Sequence, residues 1–141
     1  MTEQRKPACF VIHGIGHLRA ALHAGAVSGR PIVALSAVGA SGFAGASWFA
    51  SMIEQGRSEF PDVELTAILD CADRAGDVLV AFETGIRNII FTGHPRAGER
   101  LAKIAARYGA TIFIERPSGF DFLHSRDPDY DASACCNNSV K

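Results

Sequence analysis

Five short apolar runs recur along the chain: ACFVIH (8–13), PIVALS (31–36), VELTAILD (63–70), NIIFTG (88–93) and TIFIE (111–115). A helical stretch separates each run from the next. Runs this short, apolar on both faces, read as strands buried on both sides. Strands that alternate with helices pair in parallel. The intervening segments carry the matching signals. HLRAALHAGAVSG sets Leu18, Ala21, Leu22 and Gly25 at helical spacing, and Gly29 stops it before Pro31. AGASWFASMIEQG places Trp48, Phe49, Met52 and Ile53 on one face. DRAGDVLVAFETG opens with Asp73 in its first turn and stops at Gly85. PRAGERLAKIAARYG begins on Pro95, carries the stripe Leu101, Ile104, Ala105 and Tyr108, and ends at Gly109. The fold class is therefore α/β, with five mainly parallel strands. Right-handed crossovers leave a partial (β/α) barrel or a flattened Rossmann- or flavodoxin-like three-layer sandwich.

The 141 residues suit one domain. Residues 1–7 read as a lead-in, 8–116 as a single α/β body, and 117–141 as a polar tail. Phe120, Phe122 and Leu123 are expected to dock on the body, with order weakening after about residue 127. A net charge of -1 gives no electrostatic case for nucleic acid or an anionic membrane. No uninterrupted apolar run reaches the length of about 18 residues that a membrane span needs. The apolar run after MTEQRKPA is too brief for the core of a signal peptide. Cys9, Cys71 and the adjacent pair Cys135 and Cys136 form no disulfide framework, which points to a reducing, cytoplasmic compartment.

Parallel α/β folds build their sites at the carboxyl ends of the strands. The polar groups expected there are His13 and His17 after the first run, Ser36 and then Ser41 in the loop SAVGASGFAG after the second, and Asp70 and Cys71 after the third. Thr92 and His94 follow the fourth, and Glu115 and Arg116 the fifth. Asp73, Ser41 and His94 also suit helix caps and turns. Asp70 needs partners, because an unpaired buried carboxylate is costly. His13, Asp70, Cys71, His94 and Glu115 are residue types that bind zinc, although no close-spaced motif joins them. HGIGH lacks the third glycine of a dinucleotide fingerprint, and the second run ends in Ser36 rather than an acid, which argues against a nicotinamide site. SAVGASGFAG has the composition to cradle a phosphate with backbone N–H groups, yet it lacks the GK[ST] ending of a P-loop. No GxSxG elbow is present.

FVIHGIGHLRAAL, PIVALSAVGASGFAG, VELTAILDCAD, GIRNIIFTG and GATIFIE, in that order, resemble the first five strand-helix units of class II, metal-dependent ketose-bisphosphate aldolases. The likeness covers about residues 10–116. It implies a (β/α)8-type half barrel, with Asp70 at the position of the family's proton-handling acid. Cys71 stands where the family has a metal-binding His, and Glu115 falls near an acidic position at the end of its fifth strand. The last three units, with their other metal ligands and most phosphate-binding loops, have no counterpart here.

Three functions follow as expectations. The first is a binding or regulatory domain for a small anionic or phosphorylated metabolite, with His13, Ser36, Ser41, Thr92, His94 and Arg116 as ligand-binding residues. The second is an aldolase-type lyase or isomerase with Asp70 as acid or base and a divalent metal such as zinc on Cys71 and Glu115. The third is a structural or interaction protein with no small-molecule site. Exposed sheet edges favour a homodimer.

Overall fold

The computed structural model describes residues 5–138. Its strands and helices follow the predicted order except for a short extra helix at Ala40–Phe43, inside the expected SAVGASGFAG loop: β1 (Ala8–Val11), α1 (Ile15–Ser28), β2 (Ile32–Leu35), α2 (Ala40–Phe43), α3 (Ala46–Glu59), β3 (Leu65–Asp70), α4 (Ala75–Thr84), β4 (Asn88–Ile90), α5 (Pro95–Tyr108) and β5 (Thr111–Phe113). Three elements follow that the expected tail did not include: β6 (Phe120–Asp121), a 3-10 turn over Phe122–His124, and α6 (Pro128–Asn138). The sheet is parallel, with six strands rather than five, in the order β5-β4-β3-β2-β1-β6. Among the described residues no helix is long and apolar enough to cross a membrane.

Contacts divide the chain into two compact units. One holds the described residues through Leu35, with Met52–Thr66 and those from Ser118 on. The other holds Ser36–Ser51 and Ala67–Pro117. The described residues from Ser118 on thus group with the first strands.

In the first unit β1 pairs with β2 on one side, from Ala8↔Ile32 to Val11↔Leu35, and with β6 on the other, through Phe10↔Phe120 and Val11↔Asp121. Phe10, Leu18, Leu22, Ile32, Leu35 and Phe122 are fully buried. Helix α1 lies so close to β2 that a Cβ on Gly25 would stand 2.6 Å from Ile32 Cγ1. Only a residue without a side chain admits that approach. Helix α6, in the stretch where weakening order was expected, has local and tertiary supports. Asp127 accepts from the Tyr130 N–H at 3.1 Å and caps α6, and Pro128 opens the helix. Ala132 and Cys136, four residues apart on one helix face, are buried, and α6 packs on α1. Arg30 is a second anchor. Its Nε donates to the Lys6 carbonyl at 2.9 Å, Nη1 to the Cys136 carbonyl at 2.9 Å and Nη2 to the Pro7 carbonyl at 3.3 Å.

In the second unit β3, β4 and β5 pair through Leu69↔Ile89, Asp70↔Ile90 and Asn88↔Thr111 to Ile90↔Phe113. β5 stops at Phe113, short of the expected Glu115, because β4 offers it only three residues. Helix α5 has the predicted ends, with Pro95 in its first turn and Gly109 in the left-handed region at φ 66°. Helix α4 starts later than expected. Arg74 stands at its cap position, Asp77 is the acid in its first turn, and Asp73 lies outside it, exposed. Phe82 of α4 stacks on Tyr108 of α5, ring centroids 5.3 Å apart.

Candidate functional site

Within the second unit, three residues expected at separate strand ends meet in one node. Asp70 ends β3 and is 2% exposed. Its Oδ1 accepts from the Ala72 N–H at 2.7 Å and the Gly39 N–H at 3.2 Å, and its Oδ2 accepts from Arg116 Nη1 at 2.8 Å. Arg116 Nη2 donates to the Ser36 carbonyl at 2.8 Å. The Ser36 hydroxyl accepts from the Asp70 N–H at 2.9 Å and donates to the Ala37 carbonyl at 3.0 Å. The strand alignment produces this convergence: the Ser36 N–H donates to the Ile68 carbonyl at 3.0 Å, so the two chain segments leave the sheet side by side. Burying the carboxylate is tolerable because three N–H groups satisfy it.

The turn after Asp70 is strained. Ala72 has φ 49°, a region that non-glycine residues rarely enter. Its N–H is held by Asp70, and its carbonyl accepts from the Thr92 N–H at 2.8 Å. Such outliers gather at functional sites, where the surroundings over-determine them. Thr92 itself is exposed.

The other expected residues are placed as follows. The Ser41 hydroxyl donates to Asp77 Oδ2 at 2.9 Å, and Arg74 Nε donates to the same oxygen at 2.6 Å. His94 caps α5, its Nδ1 accepting from the Arg96 N–H at 3.1 Å. Glu115 is exposed beyond the end of β5. Cys71 is fully buried, and burial pushes its thiol up to about 11, against a smaller opposing effect of the Ser41 hydrogen bond. A thiol so raised is protonated at neutral pH, whereas metal binding requires the thiolate. Among the described residues no three of His, Cys, Asp and Glu are grouped to hold a metal ion. Of the expected zinc pair, Cys71 is buried and Glu115 is exposed.

The raised Cys71 pKa predicts a pH dependence. A thiol whose folded pKa lies above its ordinary 9.0 stabilises the fold fully below that pH. The contribution is lost as pH rises through about 11. Cys71→Ala should flatten the fall in stability across that alkaline window. Parallel slopes for the two proteins in urea unfolding would refute it.

Within the first unit a second constellation stands at the carboxyl end of β1. His13 Nε2 and Asp121 Oδ1 are 2.6 Å apart. The His13 N–H donates to His17 Nδ1 at 3.0 Å, which leaves the His17 proton on Nε2 when the ring is neutral. Burial and the neighbouring His13 lower the His17 pKa, with Asp121 opposing, so the ring is neutral at physiological pH. His17 stacks on Phe122, centroids 5.1 Å apart. Asp121 was not foreseen, because its strand was not. Its only signal was its place after Phe120 in a run able to dock.

The fold and these contacts define a parallel α/β protein with an arginine-carboxylate node at the carboxyl ends of its strands. No protein-family model matches the chain, and no curated protein matches it.

Proposed function

We propose that the chain binds a small anionic metabolite, phosphorylated or carboxylated, at the carboxyl ends of β3 and β4. The guanidinium of Arg116 is the anion-facing group. The observation that carries this reading is how that guanidinium is held. An arginine has five N–H donors. Arg116 directs two side-chain hydrogen bonds at protein, one to Asp70 and one to the Ser36 carbonyl, and its side chain remains 25% exposed. A planar cation held by two hydrogen bonds and still partly exposed is preorganised for an oxyanion. The strained Ala72 turn follows Asp70, whose Oδ1 accepts the Ala72 N–H, and the exposed Thr92 joins that turn through its N–H to the Ala72 carbonyl.

Thermal unfolding in orthophosphate, phosphorylated sugars and small dicarboxylates tests the reading. A ligand at 100 times its Kd adds about 2.7 kcal/mol. Arg116→Lys keeps a charge for Asp70 and removes the planar spare donors, and it should weaken the response by roughly tenfold or more in Kd. If no anion shifts the transition of the native protein, the node is a structural clamp and the reading fails.

A second reading, a lyase or isomerase, draws support from a different residue than Asp70. Asp70 is buried with both oxygens engaged, whereas His13 is paired to a carboxylate and 21% exposed, the arrangement of an oriented general base. Exchange of a ketose phosphate α-proton into D2O, followed by NMR, should then be catalysed by the native protein and lost in His13→Ala. Exchange no faster than buffer removes that reading.

A further inference from the structure

The structure also carries a cavity with no role in the node just described. It has a volume of about 490 Å3 and lies in the first unit, at the amino ends of β1 and β2. We propose that it binds a compact apolar monocarboxylate, with the carboxylate seated on the Arg30 guanidinium. Its volume falls in the usual range for small-ligand sites.

The charge balance of Arg30 is the first argument. Arg30 is 3% exposed and lines the cavity. Its three hydrogen bonds to described residues all go to neutral carbonyls. No carboxylate of the described residues lies within ion-pair distance of it. Cys136 is in the last turn of α6, and a helix C-terminus supplies only about half a negative charge. A buried cation compensated to that extent stays electrostatically favourable to an incoming anion. Two of its five N–H groups are not used by those three bonds.

The walls decide the class of anion. Pro7, Ala8, Phe120 and Ala134 are apolar, and Phe120 offers a ring for an apolar body to rest on. Ser118 adds a hydroxyl. Asp131 also lines the cavity, its Oδ2 accepting from the Ser125 hydroxyl at 2.5 Å. A carboxylate on the wall repels a second negative charge. The site therefore selects a single carboxylate with an apolar body over phosphate or a dicarboxylate.

Benzoate is the probe, followed by amide NMR of the full chain, with orthophosphate in parallel. Saturable shifts are expected at Ala8, Cys9, Phe120, Ala134 and Cys135, and not at Gly39 or Ala72. Ala134→Phe fills the cavity from a half-exposed helix position and leaves Arg30 in place. It should keep the helical circular dichroism of the native protein and raise the benzoate Kd by at least roughly tenfold. Absence of saturable shifts, equal binding by folded Ala134→Phe, or tighter binding of orthophosphate than of benzoate each overturns the proposal.

Discussion

Asp70→Asn is expected to destabilise the protein by about 3–5 kcal/mol, read as a lower urea midpoint at an unchanged slope. The substitution is nearly isosteric. The Asn carbonyl oxygen can still accept from the Ala72 and Gly39 N–H groups, which bond Oδ1 in the native protein. The other oxygen is replaced by an NH2 that faces the Arg116 guanidinium, formerly 2.8 Å from Oδ2. Donor then meets donor, and the arginine loses its counter-charge. Asp70 is 2% exposed and Arg116 25%, so the carboxylate is desolvated and water screens the loss only from the arginine side. A loss below about 1 kcal/mol, the range of exposed pairs, would show that the node is not what holds the end of β3. The same measurement separates the node from the anion site. Destabilisation without loss of ligand response places Asp70 in support of the fold, and loss of both places it in orienting Arg116.

Phe122→Ala should cost a comparable amount, about 3–5 kcal/mol. Phe122 is fully buried and lies against three rings: Phe10 at 5.4 Å, His17 at 5.1 Å and Phe120 at 5.3 Å between centroids. β6 is only two residues long, so its backbone pairing alone holds little. The aromatic cluster fastens the segment from Phe120 to His124, and α6 follows it. Trypsin should then cut faster after the exposed Arg126, ahead of global unfolding. Unchanged proteolysis together with a loss below about 1 kcal/mol would mean that Arg30 and α6 hold the segment without the cluster.

Much of the fold was legible because local signals agreed with the global pattern. Helix α5 had Pro95 at its start, a long apolar stripe and a left-handed Gly109 at its end, and all three are observed. Helix α6 was not foreseen because its signals are local and short. Asp127 and Pro128 begin the helix, yet the segment after them has no broad apolar stripe. Its burial comes from Ala132 and Cys136, two small side chains whose contribution is not visible until α1 lies opposite. The loop chemistry at β3 was read half correctly. Asp73 looked like the helix cap, but the chain makes a left-handed turn at Ala72 first, and α4 begins at Ala75. Nothing in an alanine announces a positive φ.

The sequence by itself determined that the strands are parallel, that Ser36 and Asp70 stand at strand ends and that Arg116 follows the fifth strand, because period and composition act locally. Tertiary structure alone decided which of those residues meet. Arg116 lies 46 residues from Asp70 and 80 from Ser36, and only the alignment of the strands brings them into one node. It also decided that Asp121, 108 residues from His13, is that histidine's partner, and that Arg30 sits buried with no carboxylate of the described residues within ion-pair distance. Long-range pairing of charges depends on where elements dock, and docking is set by the whole core rather than by any stretch of the chain.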